Sequence, residues 1–204
     1  QDGIVKGSDY DRYSFRVNTS NKINEWLTVG ENMGYTHSNR NQLPEGNEWT
    51  SVMITALTMD PTTPIYSDET TWHAPLHGNI NNPIGIIERN NNKYVTGTLS
   101  GNFFTDLTLY KGLVLHSQIG VEVIRGTNTI FNPSYFVSND DQRGMSDLTE
   151  NEESWKSVEW VNTLTYAKTF GSHDLNAMIG YTVQESKYFN VFGQRFGVPN
   201  EPTE

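Results

Sequence analysis

The stretch Leu113-Val114-Leu115-His116-Ser117-Gln118-Ile119-Gly120-Val121-Glu122-Val123-Ile124 decides how this chain folds. Leu113, Leu115, Ile119, Val121 and Val123 share one parity, with Ser117 the only polar member. The other parity carries His116, Gln118, Gly120 and Glu122, with Val114 and Ile124 at the ends. Successive side chains of a β-strand point to opposite faces, so the segment reads as a strand with one apolar and one polar face. A tilted strand of about ten such residues crosses a bilayer.

The same pattern recurs on either side. Leu175, Ala177, Ile179, Tyr181 and Val183 form an apolar face opposite Asn176, Met178, Gly180, Thr182 and Gln184. Trp160, Leu164, Tyr166 and Phe170 form another, interrupted by Asn162 and Lys168. Tyr13, Phe15 and Val17 alternate with Arg12, Ser14, Arg16 and Asn18; Leu27, Val29, Met33 and Tyr35 follow, with Glu31 as the exception. Leu99 and Phe103 alternate with Thr98, Ser100 and Asn102, with Gly97 and Gly101 in the apolar register. Six strands are expected, at about 11–20, 27–38, 94–107, 113–126, 155–170 and 174–186.

The connections between them alternate strictly. Short turns lie around Asn21-Lys22, from Thr108 to Gly112, and at Gly171-Ser172-His173. Long segments lie between the pairs, at about 39–93 and 127–154. Short turns at one end and long loops at the other mark an outer-membrane barrel, whose short turns face the periplasm. The reading is therefore all-β: an antiparallel transmembrane β-barrel segment. The alternative is a soluble β-sandwich, a sugar-binding or adhesive module. Sandwich loops recur at intervals of about 8–12 residues, which these do not. On the barrel reading Leu115, Ile119, Val121, Val123, Ile179, Tyr181 and Val183 face lipid. Gln118, Glu122, Asn176 and Gln184 then face the lumen.

Composition narrows the function. Fourteen Lys and Arg against 24 Asp and Glu give a net charge of −10, the wrong sign for a nucleic-acid binder. There is no cysteine, so disulfides, thiolate metal sites and thiol nucleophiles are out. The hydrophobic fraction is 35%, yet aromatics reach 12%, which disorder would not give. The chain opens at Gln1 and closes in a polar stretch, Pro202-Thr203-Glu204, and reads as part of a longer protein.

Several stretches resemble the SusC/RagA class of TonB-linked outer-membrane proteins of the Bacteroidetes. They include Gly7-Ser8-Asp9-Tyr10-Asp11-Arg12-Tyr13-Ser14-Phe15-Arg16-Val17-Asn18 and Trp26-Leu27-Thr28-Val29-Gly30-Glu31-Asn32. Pro64-Ile65-Tyr66, Asn82-Pro83 and Tyr110-Lys111-Gly112-Leu113 follow in order. Asn162-Thr163-Leu164-Thr165-Tyr166, Phe170-Gly171-Ser172-His173-Asp174-Leu175 and Gly180-Tyr181-Thr182-Val183-Gln184-Glu185 complete the set. The resemblance implies that residues 1–204 are part of one barrel domain of about 22 strands. Its plug domain and remaining strands lie outside this chain. It implies an integral outer-membrane nutrient importer surrounded by lipid and driven by TonB through the plug. It also implies a SusD-like surface lipoprotein as lid, and oligosaccharide or peptide as cargo.

No enzyme is expected: there is no nucleophile elbow, no Gly-rich phosphate loop and no marked carboxylate pair. No cofactor and no metal site is expected either. His73 and His77 are four apart, but Pro75 between them breaks the helix that a ligand pair would need. Asp140, Asp141, Asp147, Glu150, Glu152 and Glu153 make an acidic stretch that lacks the ligand spacing of a calcium loop and reads as solvated. Asn18-Thr19-Ser20 is formally a glycosylation sequon, without weight on a bacterial strand. A short helix is expected at 51–59, where Met53, Ala56 and Leu57 have helical spacing before Asp60-Pro61. The candidate cargo or lid contacts are the loop aromatics Trp49, Tyr66, Trp72, Tyr135 and Phe136, whose flat rings stack on sugars and anchor interfaces. The competing expectation is that they pack the loops together. Tyr10, Tyr13, Trp26, Tyr94, Tyr110, Trp155 and Tyr188 lie near strand ends and suit a lipid-interface girdle.

Overall fold

Alternation carries the chain into one antiparallel sheet. In the computed structural model, residues 3–69, 71–78 and 80–199 are described. The strands are β1 (Asp9–Lys22), β2 (Leu27–Asn41), β3 (Asn91–Tyr110), β4 (Leu113–Asn132), β7 (Asp147–Phe170) and β8 (His173–Phe196). They pair antiparallel in the order β1-β2-β3-β4-β7-β8, each beside its neighbour in sequence. The two-residue strands β5 (Tyr135–Phe136) and β6 (Gln142–Arg143) form a separate ribbon in the second loop. The first loop holds helices α1 (Val52–Thr58) and α2 (Pro83–Glu88).

Register places the two parities on two faces. Val17, Met33, Gly101, Val121 and Val158 lie in one cross-strand row. Phe103, Ile119, Trp160 and Val183 lie in the next. The opposite face carries Asn18, Asn32, Asn102, Gly120, Glu159 and Gln184 in one row, as the lumenal expectation requires. Glu31 stays on the apolar face, between Thr19 and Phe103.

Among the described residues, nothing packs on the apolar face. Ile119 is 51% exposed and Ile179 is 71% exposed. The one cluster of buried apolar residues among those described is Leu43, Val52 and Ile86, beneath the first loop and away from the sheet. A soluble sandwich buries its inner face against a second sheet. This sheet leaves a continuous apolar surface, which hydrocarbon satisfies and water does not.

The edge of the apolar band measures the tilt. On β8 the last outward apolar residue before a charge is Val183, followed by Glu185. The row of Val183 reaches β1 at Thr19, but the band on β1 continues six residues further, to Tyr13. Six residues at about 3.3 Å each, over five strand spacings of about 4.8 Å, make a slope near 40°. That is the tilt of barrel strands to the membrane normal.

The strands outrun their expected ends. Residues 127–132, 147–154 and 187–196 are strand, so the loops shrink to 42–90 and 133–146. Glu150, Glu152 and Glu153 therefore stand on β7 rather than in a solvated loop, and Asp147 begins that strand. The short turns keep their places between the strands, except that Asn21 and Lys22 belong to β1 and the first turn lies at 23–26. Gly112 has φ +84°, and an added Cβ would stand 2.2 Å from the Ala167 carbonyl oxygen. Only glycine fits there.

Candidate functional site

The sheet curls around its polar face. A hollow of about 590 Å³ lies against that face and takes residues from all six long strands. Arg16, Asn32, Asn102, Gln118, Glu122 and Gln184 are among them. Polar groups here bond across strands: Asn32 Nδ2 donates to Asn102 Oδ1 at 2.8 Å, and Gln184 Nε2 to Ser157 Oγ at 3.0 Å. Towards the turn end His116 Nδ1 lies 2.6 Å from Asp106 Oδ1, and its ring stacks on Phe104. The wall is thus a polar surface fit to line water, with His116 on it as expected.

Four of the strand-end aromatics belong to this polar face and not to a lipid girdle. Tyr10, Tyr94, Trp155 and Tyr188 share the parity of the polar residues. Tyr94 donates its hydroxyl to Glu153, and Arg40 lies 4.7 Å from the Tyr94 ring centroid. Trp155 and Tyr188 have ring centroids 6.1 Å apart. Alternation had marked one face of each strand as polar, and these rings fall in that register. Tyr13 does lie outward, 70% exposed.

At the loop end the two loops are knitted together. Asn82 caps α2, its Oδ1 accepting from Ile84 N and Gly85 N, with Pro83 at the first helical position. Asn-Pro is a helix-start signal as well as a breaker, and this helix is absent from the sequence expectations. The Asn82 amide donates to the carbonyls of Ile65 and His73, holding the segment that carries Tyr66 and Trp72. Gly85 lets the Trp72 ring approach, since a Cβ there would meet it at 3.0 Å. Tyr66 Oη donates to Glu88 Oε1 at 2.7 Å, and Trp72 Nε1 to Glu88 Oε2 at 2.8 Å. These two donors, the indole first, hold the Glu88 carboxyl below its ordinary value. The same bond raises the Tyr66 hydroxyl.

The second loop joins through Tyr135. Trp72 and Tyr135 meet edge to face, centroids 6.4 Å apart. Arg89 lies 4.1 Å from the Tyr135 centroid and pairs with Asp141 at 3.2 Å. Tyr135 Oη donates to Asp141 Oδ1 at 2.9 Å. Burial, with that bond, raises the Tyr135 hydroxyl above the ordinary value.

Of the five candidate aromatics, the structure brings three together. Tyr66, Trp72 and Tyr135 share this cluster, with their polar tips engaged. Trp49 and Phe136 stand outside it, 41% and 61% exposed. The Ser51-capped helix forms as expected at Val52–Thr58, but it buries Val52 and Thr55. Met53, Ala56 and Leu57 face outward, so the expected apolar face is the exposed one. Sequence reasoning missed Glu88, Arg89 and Asp141, whose roles depend on pairings across up to 52 residues. His73 and His77 diverge: His73 turns to the Ala74 carbonyl, and His77 lies 3.8 Å from Asp60. The acidic residues go to separate partners, Asp141 to Arg89 and Tyr135, Asp147 to Arg143 and Asn132, and Glu150 to Thr129.

No family model matches the chain. Among curated proteins it is similar to TonB-dependent receptor P26 of Formosa agariphila, 23% identical over all of this chain. It is also similar to TonB-dependent receptor SusC of Bacteroides thetaiotaomicron, 26% identical over 87% of the chain. It spans about a fifth of each of these relatives: 20% in both cases. In three dimensions it resembles a part of the RagAB peptide transporter, with a TM-score of 0.72 over 94% of this chain and 22% of that one, at 21% identity. The closed-closed state of the RagAB peptide importer gives a TM-score of 0.73. The fold is thus an open arc of outer-membrane β-barrel wall, in agreement with the SusC/RagA resemblance of its sequence. These relatives are named as TonB-dependent receptors and a peptide transporter, the class expected for this chain.

Proposed function

We propose that the chain is part of the wall of a TonB-dependent nutrient importer of the SusC type. The apolar face meets lipid, the polar face meets the lumen, and loops 42–90 and 133–146 stand on the extracellular side. The plug and the remaining strands of the barrel lie elsewhere in the parent protein. A SusD-like lipoprotein closes over the loops, and oligosaccharide or peptide is the cargo. The observation that carries this reading is the opposition of the two faces: an exposed apolar band at barrel tilt, backed by a polar hollow. Among the described residues the one other sheet is the two-stranded loop ribbon, too small to cover that band as a soluble sandwich would.

The chemistry of the wall fits transport without reaction. Amides and hydroxyls along the hollow exchange hydrogen bonds with water and with polar cargo at similar cost, so cargo passes without being trapped. The test is growth of a strain lacking the parent gene on single oligosaccharides and on peptides. Loss of growth on one class, restored by the gene and abolished by a protonophore, is the expected result. Unchanged growth on every class would overturn the importer reading.

A further inference from the structure

We infer that Arg125, Lys156 and Lys187 form a binding site on the outer wall for the phosphate of an anionic lipid headgroup. The inference rests on the assignment of the apolar face to lipid. All three residues have the outward parity, on the neighbouring strands β4, β7 and β8. Lys156 and Lys187 are direct cross-strand partners, and Val123 is the partner of Lys156. Arg125, two residues beyond Val123, is therefore diagonal to Lys156, at a spacing of about 7–8 Å. Arg125 and Lys156 stand just above Val123 and Val158, and Lys187 stands one outward position beyond Glu185, where the apolar band ends.

Two physical points single out this triad. Like charges placed directly opposite in an antiparallel ladder destabilise it unless something neutral or anionic intervenes. Yet Lys156 and Lys187 are both exposed, and the one carboxylate paired there is Glu185, 2.8 Å from Lys187. Among the described residues, neither Arg125 nor Lys156 makes an ion pair. Secondly, these three cations gather at one level on three adjacent strands. Below them the outward face is apolar on β4 and β7, while on β8 Glu185 lies between Val183 and Lys187; above them stand Glu152, diagonal to Arg125, and Glu150 beyond. A cluster of positive charge at the rim of the hydrocarbon matches the level of headgroup phosphates. The long Lys and Arg stems can lie along the valines while their charged ends reach that level.

The test uses the full-length transporter with a fluorophore on V121C, in vesicles of brominated phosphatidylcholine with increasing brominated phosphatidic acid. Quenching in pure brominated phosphatidylcholine reports lipid contact. Its absence would sink the lipid-facing assignment and this site with it. With quenching present, the expected result is a preference for phosphatidic acid of about fivefold or more. That preference should vanish in R125Q/K156Q/K187Q and persist in K156R/K187R. No preference in the parent protein, or an unchanged one in the triple variant, would overturn the site while leaving the barrel reading intact. Heat-dependent gel mobility verifies that each variant is folded, and K156Q alone, with a reduced preference expected, serves if the triple variant is not.

Discussion

Arg89 and Asp141 bind the two long loops to each other: Nη2 lies 3.2 Å from Oδ1, and the side chains are only 11% and 4% exposed. The pair sits between the Tyr135 ring and the end of α2, so neither charge can be rehydrated without opening the loops. Removing one partner of such a pair leaves the other buried and unpaired, at a cost of about 3 kcal/mol or more. Arg89→Ala should therefore expose 83–89 and 135–143 to hydrogen exchange while the strands keep their protection. An exchange pattern identical to that of the parent protein would show that the loops hold without the pair.

A second expectation concerns the exposed rings. Trp49 and Phe136 lie outside the Trp72 cluster, so their removal leaves the loops standing. If they contact cargo or lid, Trp49→Ala and Phe136→Ala should each weaken association by about 1–2 kcal/mol, within the range of interface anchors. Trp72→Ala and Tyr66→Ala should act differently, loosening the loop itself through the lost bonds to Glu88. Growth on the cargo, with outer-membrane abundance as the control, separates the two groups. Normal growth of the Trp49/Phe136 double variant would remove these rings from the contact surface.

The lipid face offers a cleaner test. Val121→Lys places a charge on the apolar band and should cost about 2–4 kcal/mol in urea unfolding from vesicles. Asn102→Lys, on the opposite face and in the adjoining row, should cost little because it points to water. Glu31→Leu should raise stability, since Glu31 is a charge on the lipid side. Equal losses at Val121 and Asn102 would reverse or abolish the assignment of faces.

Glu88 makes the loop cluster sensitive to acid. Its folded-state value is depressed below the ordinary 4.5 by the Trp72 and Tyr66 donors. A depressed carboxylate contributes stability that is present above its unfolded value and is lost as pH falls through the folded one. Limited proteolysis of 42–90 should accelerate below pH 4.5, in that order, while Glu88→Gln should be cleaved at a rate that no longer depends on pH in that window. Acceleration of equal size in Glu88→Gln would assign the effect to another carboxylate.

The strands were legible because hydrocarbon enforces parity. Between Leu113 and Val123, and between Leu175 and Val183, every outward residue but Ser117 is apolar, and the pattern fixes both face and register. Above the band that pressure disappears. Lys187, Glu150 and Glu152 are as good as any outward residue in water, so 127–132, 147–154 and 187–196 read as loop although the ladder runs on through them. The same relief hid the direction of Tyr94, Trp155 and Tyr188. In α1 the helical spacing was right and the face wrong, because Thr55 buries itself by bonding the Ser51 and Val52 carbonyls. The loop aromatics could be picked by type, but Glu88, Arg89 and Asp141 could not, since their partners are set by how the loops meet and not by any local pattern.

The overlong strands also set a distance. From Val183 to Phe196 β8 runs thirteen residues past the apolar band, and at about 3.3 Å per residue and 40° of tilt this lifts its end about 30 Å above the hydrocarbon. The loops are thus carried on a stiff parapet well clear of the lipid surface. A partner moored to the membrane by an acyl chain could touch them only through a tether of about ten extended residues, or by leaning its own body against the rim. A tether shortened below that length would leave its owner stranded at the foot of the wall.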